Sequence, residues 1–258
     1  AGVAHILMFY GFSILFIGTC LVFLEHDTPL HFLYGRFYLV SSLIIDLGGM
    51  AFIAGLLIFL VRRLKRDSSR LLKQWWVGSL VLLLLLIALT GFLVEGARIA
   101  WKMPNFEKWS VVGYTIAAGL RALNIKDGNA LVLHRIMWIT HAIFCVIFFA
   151  LLPWRFFGHI VYGAASWATR TPRPRGTLRL AGREPGAVTW RDLEWRDLLQ
   201  ADACTTCGRC NDVCPAQAAG KPLKPREVVL GLRDAMNDGR GVLTTFIPDE
   251  AIWSCTTC

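Results

Sequence analysis

The chain has 258 residues, of which 55% are hydrophobic, and its mean hydropathy of +0.50 is too high for an ordinary soluble domain. A formal net charge of +9 suits a partner that is either nucleic acid or a membrane surface, and the apolar content favours the membrane. The chain begins "AGVAHILMFY", without an initiator Met or a signal-peptide n-region. We therefore expect it to start partway into a longer product.

Four apolar runs are each long enough to cross a bilayer, which takes about 20 residues. We predict membrane spans at about 4–24, 37–61, 75–95 and 131–153. These runs predict an all-α transmembrane domain over residues 1–160. Two cysteines, Cys20 and Cys145, lie alone in these runs, as expected of inert packing residues.

The distribution of Lys and Arg predicts the orientation of the spans. The connection "RRLKRDSSRLLK" between the second and third spans holds six basic residues and one acid, and an arginine-rich stretch follows the fourth span. Both are expected in the cytoplasm. The connections 25–36 and 96–130 then lie on the outer side.

The histidines of the membrane part suggest haem ligands. His134, His141 and His159 are separated by 7 and 18 residues and would share one face of a fourth helix that continues past a kink at Pro153. His5 lies at the same depth as His159, so the two suit the axial positions of one haem b. The alternative is that each is an interfacial histidine bonded to backbone.

His141 is placed for a second haem deeper in the membrane, and its axial partner stays open. The first helix has no histidine at the right depth. The remaining candidates lie toward the outer side: His26, His31 and His134.

Carboxylates inside a membrane span are costly and usually functional. Asp46 lies well inside the second span, where it would serve a proton path for quinone chemistry or pair with Arg36 or a serine. Glu95 and Arg98, at the outer end of the third span, are further candidates for a quinone site. His134 is a candidate for the same path.

The part after the membrane domain divides into a linker and a cysteine-rich domain. Residues 161–189 are rich in Arg, Pro and Gly, which predicts a basic linker along anionic headgroups. Residues 190–258 form the second domain, with helices predicted at 190–200 and 225–239.

Four cysteines of this domain form C-x2-C-x2-C-x3-C-P, the run that wraps iron–sulfur cubanes. They are Cys204, Cys207, Cys210 and Cys214, followed by Pro215. A zinc site is the alternative, although zinc clusters rarely use four cysteines this tightly spaced. Their clustering also favours metal ligation in a reducing compartment over disulfides.

A second CTTC ends the chain, with Cys255 and Cys258 as the first two ligands of a second cluster. Two [4Fe–4S] clusters need eight thiolates, so we expect the remaining ligands in a downstream cysteine-rich region. The two motifs start 51 residues apart with predicted helix between them, which suits a helical dicluster ferredoxin that is truncated at its second motif.

The membrane part resembles the nitrate reductase gamma-subunit type of cytochrome b, through "HILMFYGF" and through His141 and His159 around Pro153. The resemblance implies one or two haems b, with His5 and His159 paired and Leu15 where that family has a second ligand. It also implies an upstream helix, hence a bundle of five or six helices.

The cysteine part resembles the iron–sulfur subunit of heterodisulfide reductase, whose second motif opens as Trp253-Ser254-Cys255 does here. One chain with both parts is most similar to the membrane-bound electron-transfer-flavoprotein:menaquinone oxidoreductases. The resemblance implies a bacterial or archaeal cytoplasmic membrane protein whose cluster domain faces the cytoplasm. Electrons would pass between electron-transfer flavoprotein, two [4Fe–4S] clusters, haem b and menaquinone.

Two other functions stay open at this point. One is a quinol-linked heterodisulfide or sulfur-cycle reductase module that runs in the opposite direction. The other is a membrane-anchored iron–sulfur sensor without haem or turnover, which the histidine stripe argues against. A nucleic-acid partner is suggested by charge alone, and the arginines that carry this charge lie beside membrane spans.

Overall fold

The structure is a computed structural model that describes residues 2–65, 75–154, 157–170, 187–239 and 241–256. The described residues are α-helical apart from 3₁₀ turns, loops and one isolated β-bridge between Thr189 and Val242. Within these described ranges, four helices are long and apolar enough to cross a membrane. The prediction of an all-α membrane protein with four spans is confirmed. The chain divides into two compact units, with Ala1–Asp67 and Gln74–Phe149 in the first.

The first unit contains the four long helices and one shorter helix. The short helix, α4, follows a 3₁₀ turn at Asn105–Trp109 and lies in the connection between α3 and α5, which the sequence placed on the outer side without predicting a helix there. The bounds are α1 Gly2–Asp27, α2 Gly35–Leu64, α3 Trp75–Lys102, α4 Val111–Ala122 and α5 Asp127–Leu151.

Helices α1 and α2 approach each other through small residues. The buried residues of α1 are Ala4, Gly11 and Gly18, which repeat every seven residues and so form one stripe. A Cβ at Gly11 would lie 2.7 Å from the Gly48 carbonyl oxygen, and one at Gly55 would lie 2.9 Å from the Ala4 carbonyl oxygen. Backbone-to-backbone approach of this kind is how helices pack in lipid, where burial of apolar surface supplies no driving force.

We expect Gly11→Ala to destabilise the first unit. The added methyl group would meet backbone atoms of α2, which cannot move aside as a flexible side chain would, and overpacking costs about 1–3 kcal/mol. Gly78→Ala in α3 is the matched control, because nothing lies within 4 Å of its Cβ position. Reversible unfolding in detergent would compare the two, and equal midpoints would contradict the close packing of α1 on α2.

The second unit contains Ser68–Lys73 and Ala150–Cys258. In it α6 packs against α7, and α7 against α10. The predicted helices at 190–200 and 225–239 correspond to a 3₁₀ turn at Trp190–Asp192 with α7, and to α10. The bounds are α6 Gly158–Ala168, α7 Trp195–Asp202, α8 Arg209–Asp212, α9 Pro215–Ala218, α10 Pro225–Asp238 and α11 Asp249–Trp253.

The fourth membrane helix ends where the sequence predicted only a kink. Helix α5 stops at Leu151, and His159 lies on a new helix, α6. Pro153 accounts for the break, because it lacks an N–H and disfavours helical geometry at the residue before it. The continuous stripe of three histidines is therefore not formed, and only His134 and His141 share α5.

Candidate functional site

The first cysteine motif lies on a loop with two left-handed residues. Thr206 has φ +56° and Gly208 has φ +72°, so the backbone adopts a left-handed conformation at two positions between Cys204 and Cys210. Left-handed conformations in short succession build the concave backbone nests that many iron–sulfur sites use. Such a φ is unusual for a β-branched residue like Thr206 and marks a loop that its surroundings hold in place.

Two contacts from α10 hold this loop. The backbone N–H of Arg226 donates to Oδ1 of Asn211 at 2.8 Å, and Nη1 of Arg233 donates to the Cys204 carbonyl oxygen at 3.5 Å. Asn211 is 9% exposed, so its amide is fixed at the start of α10. The long helix thus positions the short segment that carries the cysteines.

The thiols of the motif have different environments. Cys214 is 8% exposed and packs with Ala216 and Leu223, and Pro215 begins the next helix. Burial raises the pKa of the Cys210 thiol, and the nearby Cys204 and Cys207 raise it further. These three thiols are thus close enough to interact. Within the described ranges, no three His, Cys, Asp or Glu side chains gather tightly enough to enclose a single metal ion.

The second motif is described only in part. Cys255 is exposed just after α11, and the neighbouring Trp253 is 85% exposed. Cys258, the other predicted ligand of this motif, lies outside the described residues.

In the membrane unit, His141 connects α5 to α3. Its Nδ1 lies 3.0 Å from Oγ1 of Thr90, whose single hydroxyl hydrogen is already donated to the Leu86 carbonyl at 2.7 Å. With that hydroxyl donated to Leu86, Nδ1–H of His141 donates to Thr90, which leaves a lone pair on Nε2. Sγ of Cys145 lies 3.5 Å from this Nε2. This is the tautomer that a metal ligand needs.

Gly91 makes room for the imidazole of His141. A Cβ at this position would lie 3.3 Å from Cε1 of His141, closer than most contacts of this kind. Cys145 therefore contacts a functional candidate, whereas the sequence predicted only packing for it.

The other histidine candidates differ in their surroundings. His134 is also on α5, and its Nδ1 donates to the Val94 carbonyl of α3 at 3.0 Å. His5 is exposed on α1, and His159 is half-buried on α6 in the second unit. The pairing of His5 with His159 thus joins residues of different units and stays a prediction.

A buried polar cluster joins the N-terminal half of α2, the C-terminal part of α3 and the start of α4. Glu107 is 2% exposed and pairs with Arg98, whose Nη1 donates to its Oε1 at 2.7 Å. The Tyr38 hydroxyl donates to the same oxygen at 2.8 Å, and the Ser110 hydroxyl donates to Oε2 at 3.3 Å. Ser42 and Ser110 form a further hydroxyl contact. Arg98 is thus the partner of a buried carboxylate.

Asp46 and Glu95 lie in the same cluster. Asp46 is 1% exposed, and its Oδ2 accepts the backbone N–H of Val112 at the start of α4 at 2.7 Å. Glu95 lies close enough to Asp46 for the two carboxyl groups to interact, and it rests against Gly113, where a Cβ would be 2.7 Å from its Cδ. The sequence left Asp46 with Arg36 or a serine as its partner, whereas the structure brings it to the backbone of α4 and to Glu95.

Four members of this cluster were missed in the sequence: Tyr38, Ser42, Glu107 and Ser110. One signal for them existed, because Tyr38, Ser42 and Asp46 are each four residues apart and so form one polar stripe on α2. Glu107 and Ser110 gave no such signal, since they lie in the connection 96–130, which the sequence placed outside the membrane spans.

Comparison with known proteins relates both parts of the chain to redox proteins. No family model and no solved structure matches. The chain is 25% identical over its whole length to "EtfAB:quinone oxidoreductase" of Syntrophomonas wolfei. Over 96% of its length it is 28% identical to "Probable iron-sulfur-binding oxidoreductase FadF" of Bacillus subtilis. It spans 42% and 36% of these two relatives.

A third relative matches a shorter segment. Over 31% of the chain it is 36% identical to a subunit of the dihydromethanophenazine-dependent heterodisulfide reductase of Methanosarcina barkeri, of which it covers 23%. All three relatives are named as oxidoreductases or as part of a reductase, and one name specifies iron–sulfur binding. These similarities relate the chain to the iron–sulfur oxidoreductases.

Proposed function

We propose that the chain is the membrane and cluster part of an electron-transfer oxidoreductase. It would pass electrons from a cytoplasmic donor, electron-transfer flavoprotein, through two [4Fe–4S] clusters and haem b to menaquinone. The observation that carries this proposal is the presence, in one chain, of four long apolar helices and a C-x2-C-x2-C-x3-C-P loop with left-handed residues. The similarity to "EtfAB:quinone oxidoreductase" supports the donor and the acceptor.

The residues of the first cysteine loop fit an iron–sulfur cluster. In a cubane each iron takes one protein thiolate, so the thiols need not converge on a single ion as they do around zinc. Cys204, Cys207 and Cys210 would hold the first cluster, and Cys214 would reach across to the second cluster together with Cys255 and Cys258. The clusters would supply one-electron transfer, while the loop and α10 fix the positions of the thiols.

The residues around His141 fit an iron-bound imidazole. Thr90 accepts from Nδ1–H and so keeps Nε2 unprotonated, and Gly91 leaves room for the ring. His5 and His159 are the other proposed ligands, and bound haem would supply a further one-electron carrier. The domain bounds of 1–160, 161–189 and 190–258 and the cytoplasmic side of the clusters belong to the same proposal.

A quinol-linked heterodisulfide or sulfur-cycle reductase module is the second candidate. The observation that favours it is the similarity of one segment to the heterodisulfide reductase of Methanosarcina barkeri. The whole-length match to "EtfAB:quinone oxidoreductase" favours the first candidate.

One experiment on the full-length protein separates these candidates. The purified protein is reduced with dithionite for a difference spectrum, its iron and haem b are counted, and it is then mixed with reduced electron-transfer flavoprotein and menaquinone. We expect haem b, cluster iron and flavoprotein-dependent quinone reduction. The second candidate would be favoured if a heterodisulfide oxidises the haem and clusters but flavoprotein does not reduce them. A protein without haem would contradict the proposal.

A further inference from the structure

We propose that Asp46 and Glu95 together bind one exchangeable proton and give it to quinone during reduction. This inference rests on the proposed function. The buried carboxyl group of Asp46 on α2 lies close to the half-buried carboxyl group of Glu95 on α3, and one oxygen of Asp46 has no hydrogen-bond partner among the described residues. The proton-exchanging residues are distinct from the Arg98–Glu107 ion pair in the same cluster.

One carboxyl oxygen of Asp46 has no hydrogen-bond partner among the described residues. Its Oδ2 accepts a backbone N–H, but its Oδ1 is buried and makes no hydrogen bond within the part of the chain that the structure describes. A buried carboxylate oxygen without a donor costs free energy, and a proton on the carboxyl pair removes that cost. The ligand that fits this small, buried and negatively charged place is a proton.

The charged groups around Asp46 and Glu95 favour a single negative charge on the pair. The guanidinium of Arg98 is engaged by Glu107 at 2.7 Å and by the Tyr38 hydroxyl at 3.3 Å, and it also lies near enough to Glu95 to attract a negative charge there. Glu107 also lies near enough to Asp46 to repel a charge there. The backbone N–H groups at the start of α4, that of Val112 above all, support a negative charge on Asp46. Two facing carboxyl groups in such surroundings share one proton and carry one charge between them.

The carboxyl groups of Asp46 and Glu95 lie close along α3 to the contacts of His141, the proposed haem ligand. His141 contacts Thr90 and the Gly91 position, and Glu95 follows four residues later on α3, a rise of about 6 Å. The Nδ1 of His134 bonds the intervening Val94 carbonyl. The carboxyl pair and both histidines of α5 thus contact the same two turns of α3, which places the proposed proton donor beside the proposed haem ligand His141.

The proposed reaction moves two electrons and two protons to each quinone. Quinone gains two electrons from the one-electron carriers of the proposed function and two protons, and it becomes quinol. For each proton, a carboxyl O–H bond of the pair breaks and an O–H bond forms at a quinone oxygen. The pair regains a proton from water after each transfer.

The test uses infrared difference spectra, oxidised against electrochemically reduced, of the full-length protein in H₂O and D₂O. The variants are Asp46→Asn and Glu95→Gln, and Glu25→Gln is the matched control because its carboxylate bonds the N–H groups of Phe32 and Leu33 outside the cluster. We expect a deuterium-sensitive C=O band of a protonated carboxyl group that both variants remove and the control keeps. Absence of the band, or its survival in both variants, would overturn the proposal.

Turnover supplies the second measurement. Loss of a positioned proton donor lowers rates by about 10²–10⁴-fold, so we expect quinone reduction to fall by this amount while flavoprotein reduces the redox centres at the normal rate. Gly113→Ala, which displaces the Glu95 carboxyl without removing it, should slow quinone reduction as well. Normal quinone reduction in all three variants would overturn the proposal. Failure of the wild-type protein to reduce quinone would contradict the proposed function, and the infrared result, which needs no quinone, would still decide the proton site.

Discussion

Replacement of Cys210 by serine in the full-length protein is expected to remove one [4Fe–4S] cluster and to stop electron transfer to quinone. Serine lacks the thiolate that iron requires, and Cys210 belongs to a group of three interacting thiols on a held loop. Loss of about four iron atoms per chain would show the effect on the cluster. Turnover should fall at least about 100-fold, which corresponds to about 2.7 kcal/mol of activation free energy.

Cys20→Ser is the matched control for this experiment. Cys20 is exposed on α1 among apolar residues, so its replacement removes a thiol of the same chain without touching the motif. Iron content and turnover should stay at the wild-type level. Zinc in the purified wild-type protein, or full iron content and turnover in the Cys210→Ser variant, would contradict the assignment of the cysteine loop.

The helices of the fold were predictable because their signals are local. Four apolar runs and the basic connection between the second and third spans depend on neighbouring residues alone, and the structure has four helices of the expected kind. The end of α5 was predictable only as a kink at Pro153. Whether a helix bends or stops at a proline depends on the packing of the following residues, and the turn here is held by the Tyr162 hydroxyl, which donates to the Pro153 carbonyl at 2.9 Å.

The partners within the site could not be predicted in the same way. Asp46 stands out in the sequence as a carboxylate in an apolar run, but its contacts come from Val112 and Glu95, which are 66 and 49 residues away. Such contacts depend on how α4 folds back on α2 and α3. The connection that contains α4 has no apolar run long enough to mark it as part of the membrane unit.

The ion pair of Arg98 and Glu107 should have an asymmetric effect on stability. Glu107 is 2% exposed, whereas the Arg98 side chain is 43% exposed and can reach water if its partner is lost. Arg98→Met would leave a buried carboxylate whose charge is balanced only by hydroxyl groups, and we expect a loss of about 3 kcal/mol of unfolding free energy. Glu107→Gln leaves a guanidinium that can be solvated, and we expect a loss of about 1–2 kcal/mol.

The double variant tests whether the charge itself causes the loss. With both charges gone, the side-chain amide introduced by Glu107→Gln would still accept the hydrogen bond from Tyr38, so Arg98→Met with Glu107→Gln should be more stable than Arg98→Met alone. Reversible unfolding of the full-length protein in detergent measures all three variants, with Arg36→Met, an exposed arginine near the same end of α2, as the control. The two single variants could lose equal amounts of unfolding free energy, and the double variant could lose the sum of the two. That result would mean that the pair acts through packing alone. A rescue in the double variant would instead mean that Arg98 is retained to neutralise the buried carboxylate of Glu107.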